Sequence, residues 1–223
     1  MAPIRSRRRA AAGLFALAGC WAGAVLAEGS LPSVQAGALA HGPYSYMHML
    51  FQKTFLRINV ATIEVRVDQP AQARLAALAQ GQKYSDALAQ QLAGAAIGAQ
   101  RAVVEMKFKR DIGLDRWIGV VRENLEQARK AGLISPDLER RVGQGLPQWF
   151  SPLKERGYRK GDRLVYGVEP DSLRTVVVSA GGQVFVDRLE KEEGTRQVVL
   201  ASYFAPGSEF REALLKSLFE GNR

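Results

Sequence analysis

Cysteine and histidine are almost absent from this sequence of 223 residues. Cys20 is the only cysteine, and His41 and His48 are the only histidines. A disulfide framework, a cysteine-rich metal site and a three-histidine metal site are therefore excluded, and a Ser-His-Asp triad would need a histidine from early in the chain. The glycine-rich residues 142–145 lack the strand-to-helix turn of a phosphate or dinucleotide loop. The sequence predicts neither a metal nor a cofactor.

Clusters of basic residues interleaved with aromatic residues are also missing. The formal net charge is +9, but four of the 31 basic residues are the arginines of residues 5–9. Without these four, 27 basic residues face 22 acidic ones, and the two signs are interspersed. Nucleic acid is therefore not an expected partner.

The first 27 residues have the three parts of an export signal. Their arginines precede an apolar run over residues 10–26, and the small residues Val25 and Ala27 stand at a cleavage position. The run is rich in Gly and Ala and only marginally long enough to span a bilayer, so a transmembrane anchor is the weaker interpretation. Residues 1–27 are interpreted as a signal peptide, and the protein is expected to be exported to the periplasm.

Residues 17–20, LAGC, offer an alternative to simple cleavage. They resemble the bacterial lipobox, in which the cysteine is lipidated and becomes the new N-terminus. Cys20 is therefore a lipidation candidate, and a lipid there would give peripheral association with a membrane. Because residues 21–27 stay apolar where a lipoprotein would begin a polar tether, soluble export is favoured over a membrane-anchored lipoprotein.

Residues 28–43 are rich in Gly, Ala, Ser and Pro and indicate a linker before a single domain over residues 44–223. The elements predicted within the domain follow from hydrophobic periodicity and turn residues. They are one or two strands in 44–68, helices in 70–80 and 85–100, a strand and then a helix closed by Gly132 in 101–132, a helix from Ser135, a three-stranded meander in 163–189, an apolar segment in 198–204 and a last helix capped by residues 206–208. This order predicts an α+β fold in which a layer of helices covers one face of an antiparallel β-sheet.

Asn124 is the polar exception on an apolar helical face. Leu114, Trp117, Val121 and Leu125 recur at helical spacing, and Asn124 lies two turns after Trp117. A neutral amide on a face that should be buried indicates a pocket, although a buried amide that caps a neighbouring element explains it equally well. Trp117 would either pack in the core or contact a ligand.

Two segments resemble the chalcone isomerase family. Residues 107–127, KFKRDIGLDRWIGVVRENLEQ, are similar to that family's strand-Arg-Asp-helix segment, and residues 54–67 are similar to its paired core strands. The turn at residues 160–162 and the helix at 208–219 fall in the expected order, so the resemblance to a bacterial chalcone isomerase-like domain protein covers roughly residues 46–220. It implies an open-faced β-sandwich.

The resemblance also implies a site. Catalytic members of the family close a phenolic oxygen onto an enone without a cofactor, and related members bind fatty acids. Their tyrosine and asparagine correspond to Trp117 and Asn124 here, and a strand threonine corresponds to Asn59. The family's cationic arginine falls near Met47 and is missing, so Lys53, Arg57 or Lys107 would have to replace it. Tryptophan has only an N–H donor, and losing an electrostatic donor can cost on the order of 100-fold in rate, which argues against true chalcone cyclisation.

Three hypotheses follow. The first is a protein that holds a small apolar or amphipathic ligand, fatty acid or polyphenol-like, in a cleft between sheet and helices. The second is a cofactor-free isomerase, an intramolecular lyase acting on a chalcone-like enone, with Asn124 and Lys107 as catalytic candidates. The third is a non-enzymatic periplasmic scaffold. The ligand-binding candidates are Trp117, Asn124, Asn59, Arg57 and Thr62, the last three because polar groups on both faces of a strand border either a cavity or an exposed edge.

Overall fold

The computed structural model describes residues 36–53, 58–192 and 194–220. The interpreted signal peptide, Cys20, the first part of the linker and Arg57 lie outside these residues. The end of the linker is bonded to the domain, because Leu39 forms a bridge with Asp68 and the backbone N–H of Ala40 donates to the carbonyl of Val67 at 3.0 Å. The chain therefore meets the sheet before residue 44.

Within the described residues, six strands form one sheet in the order of the chain, and each strand is antiparallel to its neighbours. The long β-rich run is two strands rather than one. The strands are β1 (Tyr46–Lys53), β2 (Ile58–Val67), β3 (Ala102–Phe108), β4 (Arg163–Glu169), β5 (Ser172–Val178) and β6 (Val184–Glu190).

Six α-helices are described besides two short 3-10 helices at Ala36–Ala38 and Ser151–Leu153. They are α1 (Gln69–Ala79), α2 (Asp86–Ile97), α3 (Leu114–Lys130), α4 (Pro136–Trp149), α5 (Thr195–Phe204) and α6 (Arg211–Ser217). None of the helices within the described ranges is long and apolar enough to span a bilayer.

The two faces of the sheet differ as its side-chain alternation requires. Register aligns Ile63, Met106, Leu164 and Val177 in one row across the central strands, and all four are fully buried. On the opposite face Lys107 stands between Thr62 and Arg163 and is exposed. The predicted α+β fold, with helices on one face of an antiparallel sheet, is confirmed.

Local capping explains where several helices begin. Asp68 caps α1 by accepting a hydrogen bond from the N–H of Ala71, and its other carboxylate oxygen accepts from Gln100 and Arg101 at 2.7 Å. Ser135 caps α4 with Pro136 at the first helical position, as predicted. Asp68 thus joins the start of α1 to the start of β3.

Gly132 ends α3 as predicted. It follows the last residues of the helix with a φ of +70°, a left-handed conformation that favours glycine. The backbone N–H of Leu133 then donates to the carbonyl of Ala128. This closes the helix end in the manner of a Schellman motif.

The predicted cap of the last helix was wrong. The helix begins at Arg211 and Phe210 is the residue before it, whereas Gly207 and Ser208 form a separate turn. The hydroxyl of the buried Ser208 accepts a hydrogen bond from the N–H of Phe210, so it stabilises this turn rather than the first turn of α6. The apolar segment 198–204, whose type the sequence left open, belongs to α5.

Candidate functional site: a cavity between sheet and helices

A cavity lies between strands β4 to β6 and helices α3, α4 and α5, beside Trp117 and Asn124. It will be called the first cavity. The space open to the centres of water-sized molecules is about 60 Å³. A single water needs roughly 10–15 Å³ by this measure, so the cavity holds a few waters or a short apolar group as it stands. Its wall is mostly aliphatic and aromatic.

Asn124 is buried at the border of this cavity and uses both ends of its amide. Its Nδ2 donates to the carbonyl of Val120 at 2.9 Å, and its Oδ1 accepts from the N–H of Glu209 at 3.3 Å. Glu209 lies in the turn before α6. The side chain therefore ties α3 to that turn, and its remaining N–H is the donor capacity left for a ligand.

The sheet and α5 contribute the other polar groups. Tyr166, Thr175 and Glu190 reach the cavity from β4, β5 and β6, and Ser202 and Tyr203 reach it from α5. Burial, and after it the charge of Glu190, raises the pKa of Tyr166 well above that of an ordinary phenol. Burial likewise raises the pKa of Tyr203. Both phenols are neutral hydrogen-bond donors at physiological pH.

Helix α4 closes the cavity with Trp149. The ring of Trp149 folds back over Gly145, where an added Cβ would lie 2.3 Å from ring atom Cζ2. The guanidinium of Arg188 lies 4.3 Å from the centroid of the same ring and also binds the carboxylate of Glu190. A glycine one turn before Trp149 is therefore required for this arrangement.

Pro147 is accommodated near the end of α4 by a side chain from α3. Proline has no N–H, so the carbonyl of Gly143, four residues earlier, loses its helical partner. Arg122 donates to that carbonyl from Nε at 3.2 Å and from Nη2 at 2.9 Å. The contact fixes α4 against α3 on the outer side of the first cavity.

Trp117 also borders a second cavity, on the side of β1 and β2. Its space for water centres is about 120 Å³, and Phe51, Val60 and Val120 form part of its wall. Arg110 and Arg116 border it and are exposed to solvent. Trp117 is the side chain shared by the two cavities.

Three buried polar atoms lack a hydrogen-bond partner in the part of the chain that the structure describes. They are Nε1 of Trp117 and the hydroxyl oxygens of Tyr158 and Tyr203. Trp117 and Tyr158 both pack against Phe108, whose ring stacks on that of Tyr158 at a centroid distance of 4.2 Å. Buried polar atoms without partners are uncommon, and an interior ligand or water is one way to satisfy them.

The structure brings two of the predicted site residues together and leaves the others apart. Trp117 and Asn124 border the first cavity. Lys107 and Thr62 lie on the opposite face of the sheet, because the strand alternation that turns Met106 and Ile63 inward turns them outward. Asn59 is exposed and accepts a hydrogen bond from Gln52 at 2.6 Å. None of these last three lines either cavity.

Sequence reasoning missed the polar groups that β4, β6 and α5 contribute. Glu190 lies one residue beyond the predicted meander but is the last residue of β6, on its helix-facing side. Ser202 and Tyr203 lie in an apolar segment whose type could not be assigned, so their face was unknown. Tyr166 lay in a predicted strand, and its alternation with the neighbouring Val165 was the signal that could have assigned it to one face of the sheet.

Comparison with known proteins identifies no family. No protein-family model matches the chain, and no curated protein matches it either. Among solved structures, a fatty-acid binding protein of Arabidopsis thaliana is similar with a TM-score of 0.45 and 11% sequence identity, over 79% of this chain and 88% of that one. A likeness this distant carries no information about ligand or activity. The class defined by the chain's own coordinates is an α+β protein with an open antiparallel sheet and an interior cavity under its helices.

Proposed function

We propose that this protein is a chalcone isomerase-like binding protein that holds a small apolar or amphipathic ligand in the first cavity. The observation that carries the proposal is an apolar cavity in the core, bordered by Trp117 and Asn124 and supplied with a few polar groups from the sheet and α5. Such a combination is typical of ligand sites, in which apolar walls bury the ligand and isolated polar groups orient it.

The size of the cavity limits the ligand. With about 60 Å³ open to water centres, a long acyl chain requires movement of the wall. Trp149 is the side chain best placed to move, because it is only partly buried and packs at the border of the core, with the guanidinium of Arg188 over its ring. Ligands of short or medium length are therefore proposed, with Trp149 and Arg188 at the entrance.

Extraction of the full chain tests the proposal. The protein purified from its native host is extracted with organic solvent, and the extract is examined by mass spectrometry. Ser202→Leu is the matched variant, because it adds bulk at the cavity wall on α5. The hydroxyl that it removes donates to the carbonyl of Val199 on the same helix. A small molecule that accompanies the wild type and not the variant supports the proposal. Identical empty extracts from both, with no binding of added ligand, overturn it.

The isomerase alternative rests on the second cavity. Stabilising a developing enolate requires a nearby cation, and Arg110 and Arg116 border that cavity beside Trp117. Incubation with a panel of chalcones tests it. Turnover that falls in Arg110→Ala or Arg116→Ala but not in Arg140→Ala, an exposed arginine on α4, favours this alternative.

Export is a further part of the proposal, and it is motivated by residues 1–27 of the sequence. Cell fractionation together with the intact mass of the mature protein distinguishes the two forms of export. Cleavage after Ala27 gives a soluble periplasmic protein, whereas a lipid-modified chain beginning at Cys20 gives a membrane-associated one that Cys20→Ala abolishes. A full-length cytoplasmic chain contradicts both.

A further inference from the structure

The charges around the first cavity define the chemistry of its ligand more closely, and this step rests on the function proposed above. Among the described residues that line the cavity, the one carboxylate is that of Glu190, and there is no lysine, arginine or histidine. Besides the indole groups of Trp117 and Trp149, the remaining polar groups are uncharged amide, hydroxyl and phenol groups. They belong to Asn124, Tyr166, Thr175, Thr195, Ser202 and Tyr203.

Glu190 and its cationic partner lie on the same, helix-facing side of β6, but only Glu190 lines the cavity. Glu190 is on the helix-facing side of β6, paired with Leu173 of β5, and its side chain is 10% exposed. Arg188, which donates to that carboxylate, is 39% exposed and lies over the ring of Trp149 without lining the cavity. The negative member of the ion pair therefore borders the cavity, and the positive member remains outside it.

This arrangement disfavours an anionic ligand group inside the cavity. A carboxylate placed inside would lose its hydration, would find no cation among the lining residues and would face the carboxylate of Glu190, whose counter-ion Arg188 lies at the entrance. A hydroxyl group on the ligand is favoured instead. It can donate to the Glu190 carboxylate in a charge-assisted hydrogen bond and accept from a neutral phenol.

Tyr203 supplies an unpaired hydrogen-bond donor. Its hydroxyl is buried and has no partner among the described residues, and its ring packs against Phe210 with centroids 4.8 Å apart. Tyr166 lies on β4 and lines the same cavity. A ligand oxygen between them would satisfy a donor that the protein leaves unpaired.

We infer that the first cavity selects a neutral amphiphile bearing a hydroxyl group, of the class of medium-chain alcohols and alkylphenols, over a carboxylate of the same chain length. Glu190 and Tyr203 are the residues that set this preference. The fatty-acid anion is thus the disfavoured form of an otherwise matching apolar chain.

The test compares 1-octanol with octanoate as ligands of the full chain at neutral pH, by titration calorimetry. We expect octanol to bind about tenfold or more tightly than octanoate, since the carboxylate must be buried without a counter-ion. Binding of octanoate as tight as that of octanol overturns the inference and leaves the proposed function standing. If neither molecule binds, both the inference and the proposed function fail.

Two variants test whether Glu190 sets the preference for octanol over octanoate. Glu190→Gln should reduce the ratio of octanol to octanoate affinity by about tenfold, because it removes the charge that faces the ligand. Glu105→Gln is the matched control: Glu105 also pairs with an arginine, Arg163, but on the opposite face of the sheet, and the ratio should not change. Equal ratios in wild type and both variants contradict the role of Glu190.

A third measurement does not depend on the folding of any variant. As the pH is lowered towards the pKa of the ligand's own carboxyl group, octanoic acid becomes neutral, and its affinity for the wild type should approach that of octanol. The affinity for octanol, which has no carboxyl group of its own, should change much less over the same interval. Affinity for octanoate that is independent of pH contradicts the inference.

A further variant tests the role of Tyr203. Tyr203→Phe should weaken the binding of octanol and leave the binding of octane, which has no hydroxyl, unaffected.

Discussion

The side-chain oxygen of Asn124 accepts a hydrogen bond from the backbone N–H of Glu209, 85 positions further along the chain. This bond, with the one that Nδ2 donates to Val120, gives the asparagine a structural role in addition to its position at the cavity. A ligand that binds beside Asn124 therefore meets an amide that is already oriented by its neighbours. The two readings that the sequence left open for this residue are compatible with each other.

Asn124→Ala should destabilise the fold by roughly 1–3 kcal/mol, because the buried amide is removed and the N–H of Glu209 and the carbonyl of Val120 lose its hydrogen bonds. Urea unfolding measures the change. Glu126→Ala, two residues along the same helix, removes an exposed ion pair with Lys130 and should stay within about 0.5 kcal/mol of the wild type. Equal effects of the two substitutions would show that Asn124 does not tie α3 to the turn before α6.

Gly145→Ala should displace the ring of Trp149, since the new Cβ has no room beside ring atom Cζ2. Gly143→Ala is the control on the same helix, because nothing lies within 4 Å of its added Cβ. In the control, helix propensity should raise the free energy of unfolding by up to about 1 kcal/mol. In Gly145→Ala this gain should be lost and tryptophan emission should shift to the red. Two variants with the same stability and the same emission as each other would contradict the contact.

Trp117 separates the two cavities, so its replacement should change both the free energy of unfolding and the size of the ligand that the protein can hold. Trp117→Phe removes a buried N–H without a described partner and should cost less than about 1.5 kcal/mol. Trp117→Ala should cost on the order of 3–5 kcal/mol. It should also join the cavities, so that the alcohol bound most tightly becomes longer. The affinities of a series of 1-alkanols measure this change in length. An unchanged optimum length in Trp117→Ala would contradict the separation of the two cavities by Trp117.

Alkaline pH should unfold the protein through its buried phenols. Burial raises the pKa values of Tyr158, Tyr166 and Tyr203 above the value of about 10 that phenols have in the unfolded chain. Below pH 10 these tyrosines are neutral in both states and their contribution to stability is complete. As the pH rises further, only the unfolded chain ionises. Each tyrosine then removes about 1.4 kcal/mol of stability per pH unit.

Tyrosinate absorbance and far-ultraviolet circular dichroism measure this transition together. The part of the absorbance that comes from the buried phenols should change together with the circular dichroism above pH 10, and Tyr203→Phe should lower the slope of stability against pH by about one proton. Ionisation of every tyrosine near pH 10 while the circular dichroism remains native would contradict the burial of these rings.

The fold was predictable because its signals are local. The alternation of residues 103–108, the spacing of Leu114, Trp117, Val121 and Leu125, and the Ser135 cap each depend on a few neighbouring residues and on the strand and helix periods. In the meander, antiparallel strands joined by tight turns also leave few arrangements of β4 to β6. The last helix was placed three residues too early because Gly207 and Ser208 form a turn of their own, which resembles a helix cap in sequence.

The candidate site was predictable only in part, because its residues come from distant segments. Trp117 and Asn124 are two turns apart on one helix, so their common face follows from the helical period. Glu190 and Tyr203 meet them only after the sheet and α5 have packed, and no local pattern indicates that contact. Lys107 was a cationic candidate by its neighbourhood in sequence, yet the same alternation that buries Met106 points it away from the helices.

The most direct measurement of the central claim is quenching of tryptophan emission by 8-bromo-1-octanol, because bromine quenches over a short range. Trp117 and Trp149 both border the first cavity, and Trp149→Phe assigns their shares of the signal. We predict saturable quenching in the wild type and its loss in Ser202→Leu, whose added side chain fills the cavity while the unfolding transition is retained. Equal and unsaturable quenching in the two proteins would contradict a ligand site beside Trp117 and Asn124.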